Sequence, residues 1–196
     1  MHAKAITFAL TTTLLLTPIL FAQQKHQAAP TGENMQNSAD QGFISSAAEA
    51  NLAEIDTAKM VIQKSSDPAV KDFANRMATD HTQANEKLAN VAEMNGIKLP
   101  TEPGITERNQ KSELQKLSGA KLDDAYLRDE LQGHKEAISA FENEIEHGRN
   151  QEVKNYAAQT LPTLQDHIRI AEDIVGKLGL SGKTGLSDET KAIAVR

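Results

Sequence analysis

Arg76-Met77-Ala78-Thr79-Asp80-His81-Thr82-Gln83-Ala84-Asn85 is the stretch that decides how this sequence folds. Around it Val70, Phe73/Ala74, Met77, Ala84, Leu88 and Val91 recur at steps of three and four, which puts them on one face of a helix. His81 falls on that stripe where an apolar side chain is due. A polar ring therefore points into whatever the stripe packs against. His134 and His167 stand in the same position on two later stripes, so the functional question is whether three inward histidines meet.

The stripe starts at Pro68 and stops at Asn95, with Gly96 at a C′ position. Ser65-Ser66-Asp67-Pro68 supplies a stop and a restart: Asp67 is a good N-cap and Pro68 suits the first helical position. Upstream, Phe43/Ile44, Ala47, Leu52, Ile55, Ala58 and Ile62 describe an amphipathic helix from Gly42 to Ser65, so the first two helices form an antiparallel hairpin. Between Ile97 and Ala120 the rhythm is broken by Pro100, Pro103 and Gly104, which reads as a long crossover holding a short helical piece, Glu107 to Leu117. A third helix spans Lys121 to His147 on the stripe Tyr126/Leu127, Leu131, His134, Ile138, Phe141 and Ile145, closed by Gly148. Asn150 caps a fourth helix that runs to Lys177, and Pro162 inside it removes the bond to the Ala158 carbonyl and predicts a kink. An offset of 83 residues lays the first hairpin on the second, Phe43 on Tyr126, Asp67 on Asn150, Phe73-Ala74 on Tyr156-Ala157 and Gly96 on Gly179. Hairpin, crossover, hairpin is the order of a ferritin-like four-helix bundle, so the fold class is all-α with residues 42–180 as the domain.

Residues 1–22 carry Lys4 ahead of an apolar run from Ala5 to Phe21 and end on Ala22, the pattern of a cleaved secretory signal peptide. Pro18 and several threonines set this run apart from a membrane anchor. Export places the protein in the periplasm or cell envelope, with no transmembrane span after cleavage. Residues 23–41 are polar, include Pro30 and Gly32, and read as a disordered leader; residues 181–196 read as a polar tail. The absence of cysteine removes disulfides, thiolate metal sites and cysteine nucleophiles together. With 27 acidic against 21 basic residues the formal net charge is −6, and no basic cluster is present, which argues against nucleic acid and anionic membranes as partners.

At about 1.5 Å of rise per residue, His81, His134 and His167 each lie roughly 20 to 26 Å from the turn of their own hairpin. With the two turns at opposite ends of the bundle, all three rings reach its middle. Glu54 on the first helix faces inward, between Asn51 and Ala58, at nearly the same depth. Imidazoles with a carboxylate suit zinc, copper, iron or manganese, so His81, His134, His167 and Glu54 form the candidate metal set, with Asp80, Glu130 or Asp166 as further donors if they lean in. The competing reading is a buried polar network in which each ring hydrogen-bonds Glu54, an aspartate or another helix. That network ranks first on the sequence, because inward polar groups need partners with or without a metal.

A di-iron ferritin site uses Glu-x-x-His on two helices, whereas the residues three before these histidines are Ala78, Leu131 and Leu164. The one Glu-x-x-His, Glu144 to His147, sits at a helix end, where a histidine complements the helix C-terminus. Met77 reads as core filling. No Gly-rich phosphate loop, nucleophile elbow or Ser/His/Asp order is present, and no catalytic residue is assigned.

Phe43-Ile44 through Leu52-Ala53-Glu54, the turn Asp67-Pro68-Ala69-Val70-Lys71-Asp72-Phe73-Ala74, Met77 to Asn85, His134 to Phe141, and Thr160-Leu161-Pro162-Thr163-Leu164 to His167 together resemble the domain of unknown function 4142, a family of exported bacterial proteins. The resemblance covers about residues 41–179 and implies a ferritin-like helical bundle in the cell envelope, without an activity or catalytic residues to carry over. The first expectation is therefore a non-enzymatic envelope module, binding or stress-related, with a metal ion or an envelope protein as partner. The alternative is a metal-binding protein or metal-dependent oxidase built on the inward layer. A third reading has the amphipathic faces binding a lipid or a partner helix.

Overall fold

Two capped turns set the architecture. At the first, the Asp67 carboxylate accepts hydrogen bonds from the backbone N–H groups of Ala69 (2.8 Å) and Val70 (3.2 Å), and Pro68 occupies the position where a missing N–H costs nothing. At the second, Asn150 Oδ1 accepts from the Val153 N–H at 3.1 Å. The computed structural model describes residues 32–180 as five helices: α1 Gly32–Lys64, α2 Pro68–Met94, α3 Ile105–Gln115, α4 Gly119–His147 and α5 Gln151–Lys177. The signal-peptide segment, His26 and the polar tail lie outside the described residues. Gly96 and Gly179, at φ 65° and 69°, follow the ends of α2 and α5 in the left-handed conformation that glycine adopts without strain.

α1 and α2 form one hairpin and α4 and α5 the other, with α3 on the crossover between them. Their directions follow from the core. One apolar cluster joins Ala58 and Val61 near the end of α1, Val70 to Met77 at the start of α2, Leu122 to Leu131 at the start of α4, and Ala171 to Val175 at the end of α5. The second joins Ile44 to Ala48, Leu88 to Ala92, Phe141, and Val153 to Leu164. So α2 and α4 run the same way, which is what a long crossover permits and a short loop does not. Asn51, His81, His134 and His167 are buried in the sequence intervals between the two clusters. The middle of the bundle is a polar layer.

Three details differ from the sequence reading. α1 begins at Gly32, so residues 32–41 belong to a helix rather than to the leader. No proline interrupts the chain after Pro30 there, and Asp40 is anchored by the backbone N–H groups of Arg149 (3.2 Å) and Asn150 (2.8 Å), a tertiary tie that a polar composition does not reveal. The buried face of α1 is Ile44, Ala47, Ala48, Asn51, Ala58 and Val61, while Leu52, Ile55 and Ile62 are half-buried at its edges. The short crossover helix lies two residues earlier than expected and buries Leu114. As the sequence predicts, Pro162 lies inside α5, where it is exposed.

Candidate metal centre

His81, His134 and His167 meet. Their ring centroids are 5.6 Å (His81 to His134), 5.4 Å (His81 to His167) and 5.2 Å (His134 to His167) apart. They retain only 5%, 3% and 1% of their exposure. One nitrogen from each ring lies within 4.8 Å of the other two.

The hydrogen bonds around the rings define which nitrogens carry protons. His81 Nδ1 is 2.9 Å from Asn51 Oδ1, and the Asn51 amide donates in turn toward the Tyr156 hydroxyl at 3.5 Å. His134 Nδ1 is 3.0 Å from the backbone carbonyl of Glu130. His167 Nε2 is 3.0 Å from Asp80 Oδ2, and Asp80 is itself held by Arg76 at 3.2 Å. All three partners accept, so each of these outer nitrogens donates its N–H. A neutral imidazole then has a lone pair on its other nitrogen. Those nitrogens are His81 Nε2, which is buried without a hydrogen-bond partner, and the facing pair His134 Nε2 and His167 Nδ1 at 3.1 Å.

Electrostatics favour the neutral rings. Burial first, then the neighbouring imidazoles, holds His81 well below the usual imidazole range. Burial also lowers His134 and His167, against the opposing pull of Glu54 on the first and Asp80 on the second.

Glu54 does not join the three rings as a fourth member. It groups with Glu130 and one nitrogen of His134, all within 4.8 Å of one another. Burial raises both carboxyls; the Glu54 charge and a hydrogen bond between the two take Glu130 further, well above the usual carboxyl range. Glu130 Oε2 is 3.4 Å from His134 Nδ1 and has no hydrogen-bond partner of its own. The Tyr126 hydroxyl beside it is buried and makes no hydrogen bond of good geometry, and burial, then the two carboxyls and its contact with Glu130, push it up. Asp166 binds Arg76 at 2.7 Å and so stands outside the layer.

The sequence reading assigned no role to Asn51, yet it orients His81. The offset of 83 residues that relates the hairpins places Asn51 on His134, so the internal repeat carried the signal for it. Glu130 lies four residues before His134, one full turn, whereas the ferritin pattern directs attention to the residue three before.

Comparisons with known proteins agree on the architecture. The fold is similar to that of a domain-of-unknown-function-305 protein from Streptomyces coelicolor, described as secreted, with a TM-score of 0.61 and 16% identity over 72% of this chain and 94% of that one. It is also similar to a fragment of the same type from Deinococcus radiodurans, with a TM-score of 0.63 and 18% identity over 71% of this chain and 96% of that one. No curated protein matches the chain. Among the described residues no helix is long and apolar enough to cross a membrane. The sequence profile described as domain of unknown function (DUF4142) matches residues 23–174, and the chain belongs to that family.

Proposed function

We propose that this protein is an exported, non-enzymatic helical bundle of the cell envelope that holds one divalent transition-metal ion between His81, His134 and His167. The observation that carries the reading is the direction of the lone pairs. Every ring gives its outer N–H to a fixed acceptor, and the inner nitrogens face one another, two of them at 3.1 Å. Metal-ligating histidines are oriented in this way, by a carboxylate or carbonyl on the far nitrogen. Two nitrogens on one tetrahedral ion, each bound at about 2.0–2.1 Å, stand about 3.3 Å apart. The pair is therefore close to ligand spacing before any ion arrives.

Neutral nitrogen donors suit zinc and copper(II) better than manganese, magnesium or calcium. The three rings are buried inside the bundle, which favours holding an ion over turning over a substrate. A signal-peptide pattern at residues 1–22 supports the exported location.

The network reading survives in one form. With both outer nitrogens donating, a hydrogen bond between His134 and His167 needs an extra proton shared by the two rings. Elemental analysis after loading with Zn2+, Cu2+, Fe2+ or Mn2+ separates the two. Metal binding predicts one tightly held ion per chain, with zinc or copper preferred, and an unfolding midpoint that rises with ion concentration. No uptake of any of the four leaves the proton-sharing network.

A further inference from the structure

The histidine layer has two flanks of opposite character. On the α2 and α5 side, Arg76 binds both Asp80 (3.2 Å) and Asp166 (2.7 Å), so a guanidinium lies outside the Asp80 to His167 bond. A cation approaching there meets a fixed positive charge. On the α1 and α4 side, Glu54 and Glu130 lie in a cleft of about 150 Å³ whose walls also carry Glu107, Asp129 and Glu136. Lys111 shares that cleft, and its charge is matched by Asp56 at 3.1 Å.

The Glu54 and Glu130 oxygens are grouped with a His134 nitrogen within 4.8 Å. Two further facts point to a ligand. Glu130 Oε2 and the Tyr126 hydroxyl are both buried, and neither makes a hydrogen bond of good geometry, although the two groups act on each other and Glu54 acts on both. Buried polar atoms are ordinarily satisfied, and a carboxylate-bound cation with its water supplies what these two lack.

We propose that Glu54 and Glu130 form a docking site for a hydrated divalent cation at this cleft, and that the ion passes from their oxygens, past His134, to the lone-pair nitrogens of the three imidazoles. The site rests on the three-histidine reading for its destination, and the His134 ring separates the two. Carboxylate oxygens accept ions that keep part of their water, while imidazole nitrogens retain borderline ions, so capture at oxygen precedes retention at nitrogen. The Arg76 flank then fixes ring orientation and the Glu54 flank admits the ion.

Stopped-flow absorbance of Co2+ uptake by the full chain tests the route. Glu54→Gln with Glu130→Gln should slow uptake by about tenfold or more, the scale on which local charge raises association rates, while the final Co2+ spectrum and one-ion stoichiometry stay as in the parent. Unchanged uptake in that variant overturns the docking site and leaves the three-histidine centre standing. A second measurement covers a variant that folds poorly and a parent that takes up no Co2+, the latter being the failure of the centre itself. Tb3+ seeks oxygen ligands, and its emission on tyrosine excitation should appear in the parent protein and be lost in Tyr126→Phe. Absence of that emission, or its survival in Tyr126→Phe, overturns the docking site.

Discussion

α1 and α4 bring two pairs of acids together, and the pairs have different neighbours. Near the α4 to α5 turn, Asp40 faces Glu144; in the middle of the bundle, Glu54 faces Glu130. Asp40 accepts two backbone N–H bonds from Arg149 and Asn150, which fastens the start of the described α1 side chains to the second hairpin. Its partner Glu144 is pushed up to about 7, by burial first and then by Asp40. The middle pair instead has the His134 imidazole 3.4 Å from Glu130 Oε2, and a cleft beside it. Two acids between the same two helices make a clasp where backbone donors meet them and a port where imidazoles do.

The contrast breaks most visibly if the imidazole beside the middle pair is removed. His134→Ala should lower Zn2+ affinity by more than about 100-fold, beyond the loss typical of an outer-shell partner. It should also lower the stability of the metal-free protein by about 2–4 kcal/mol in urea unfolding, since it leaves a cavity and an unpaired His167. Unchanged Zn2+ affinity would make the middle pair a second clasp.

Asp80→Asn keeps the rings in place but weakens the acceptor that orients His167. Zn2+ affinity by calorimetry should fall about 10- to 100-fold, with metal-free stability within about 1 kcal/mol of the parent. Asp40→Asn combined with Glu144→Gln should do the reverse, costing about 1–2 kcal/mol of stability and leaving the Co2+ uptake rate untouched. A slowed uptake in that variant would erase the distinction between clasp and port.

The smallest effect is in pH dependence. Glu144 holds its proton more tightly in the folded than in the unfolded chain. The stability it contributes is therefore fully present below the ordinary carboxyl range and is lost as pH rises through about 7. Thermal melts between about pH 5 and 8 should show a shallower alkaline decline in Glu144→Gln than in the parent. Coincident slopes would mean that Asp40 and Glu144 do not share a proton.

Most of the long-range architecture was legible because helical rise is regular. Counting residues from each turn to His81, His134 and His167 placed the rings at one depth, and they do meet. Periodicity also returned the Asp67 and Asn150 caps and the crossover. It was weaker on rotation about a helix axis. Alternating alanines on α1 left its facing direction loosely defined, so Leu52 and Ile55 were assigned inward and Asn51 received no partner. Glu54 comes to lie with His134 and Glu130 rather than with all three rings, for the same reason: depth follows from counting, and angle depends on side-chain packing between helices.

The polar layer has a consequence for how the bundle comes apart. Two apolar clusters lie on either side of it, and no buried apolar side chain belongs to both. All four long helices pass through both clusters, and the waist between them is held by imidazole, amide and carboxyl groups bonded to one another. Cooperative units in amide exchange tend to follow such seams in apolar contact. The metal-free chain should thus open as two foldons of separate protection, and an ion gripped at the waist should act as a rivet that merges them into one.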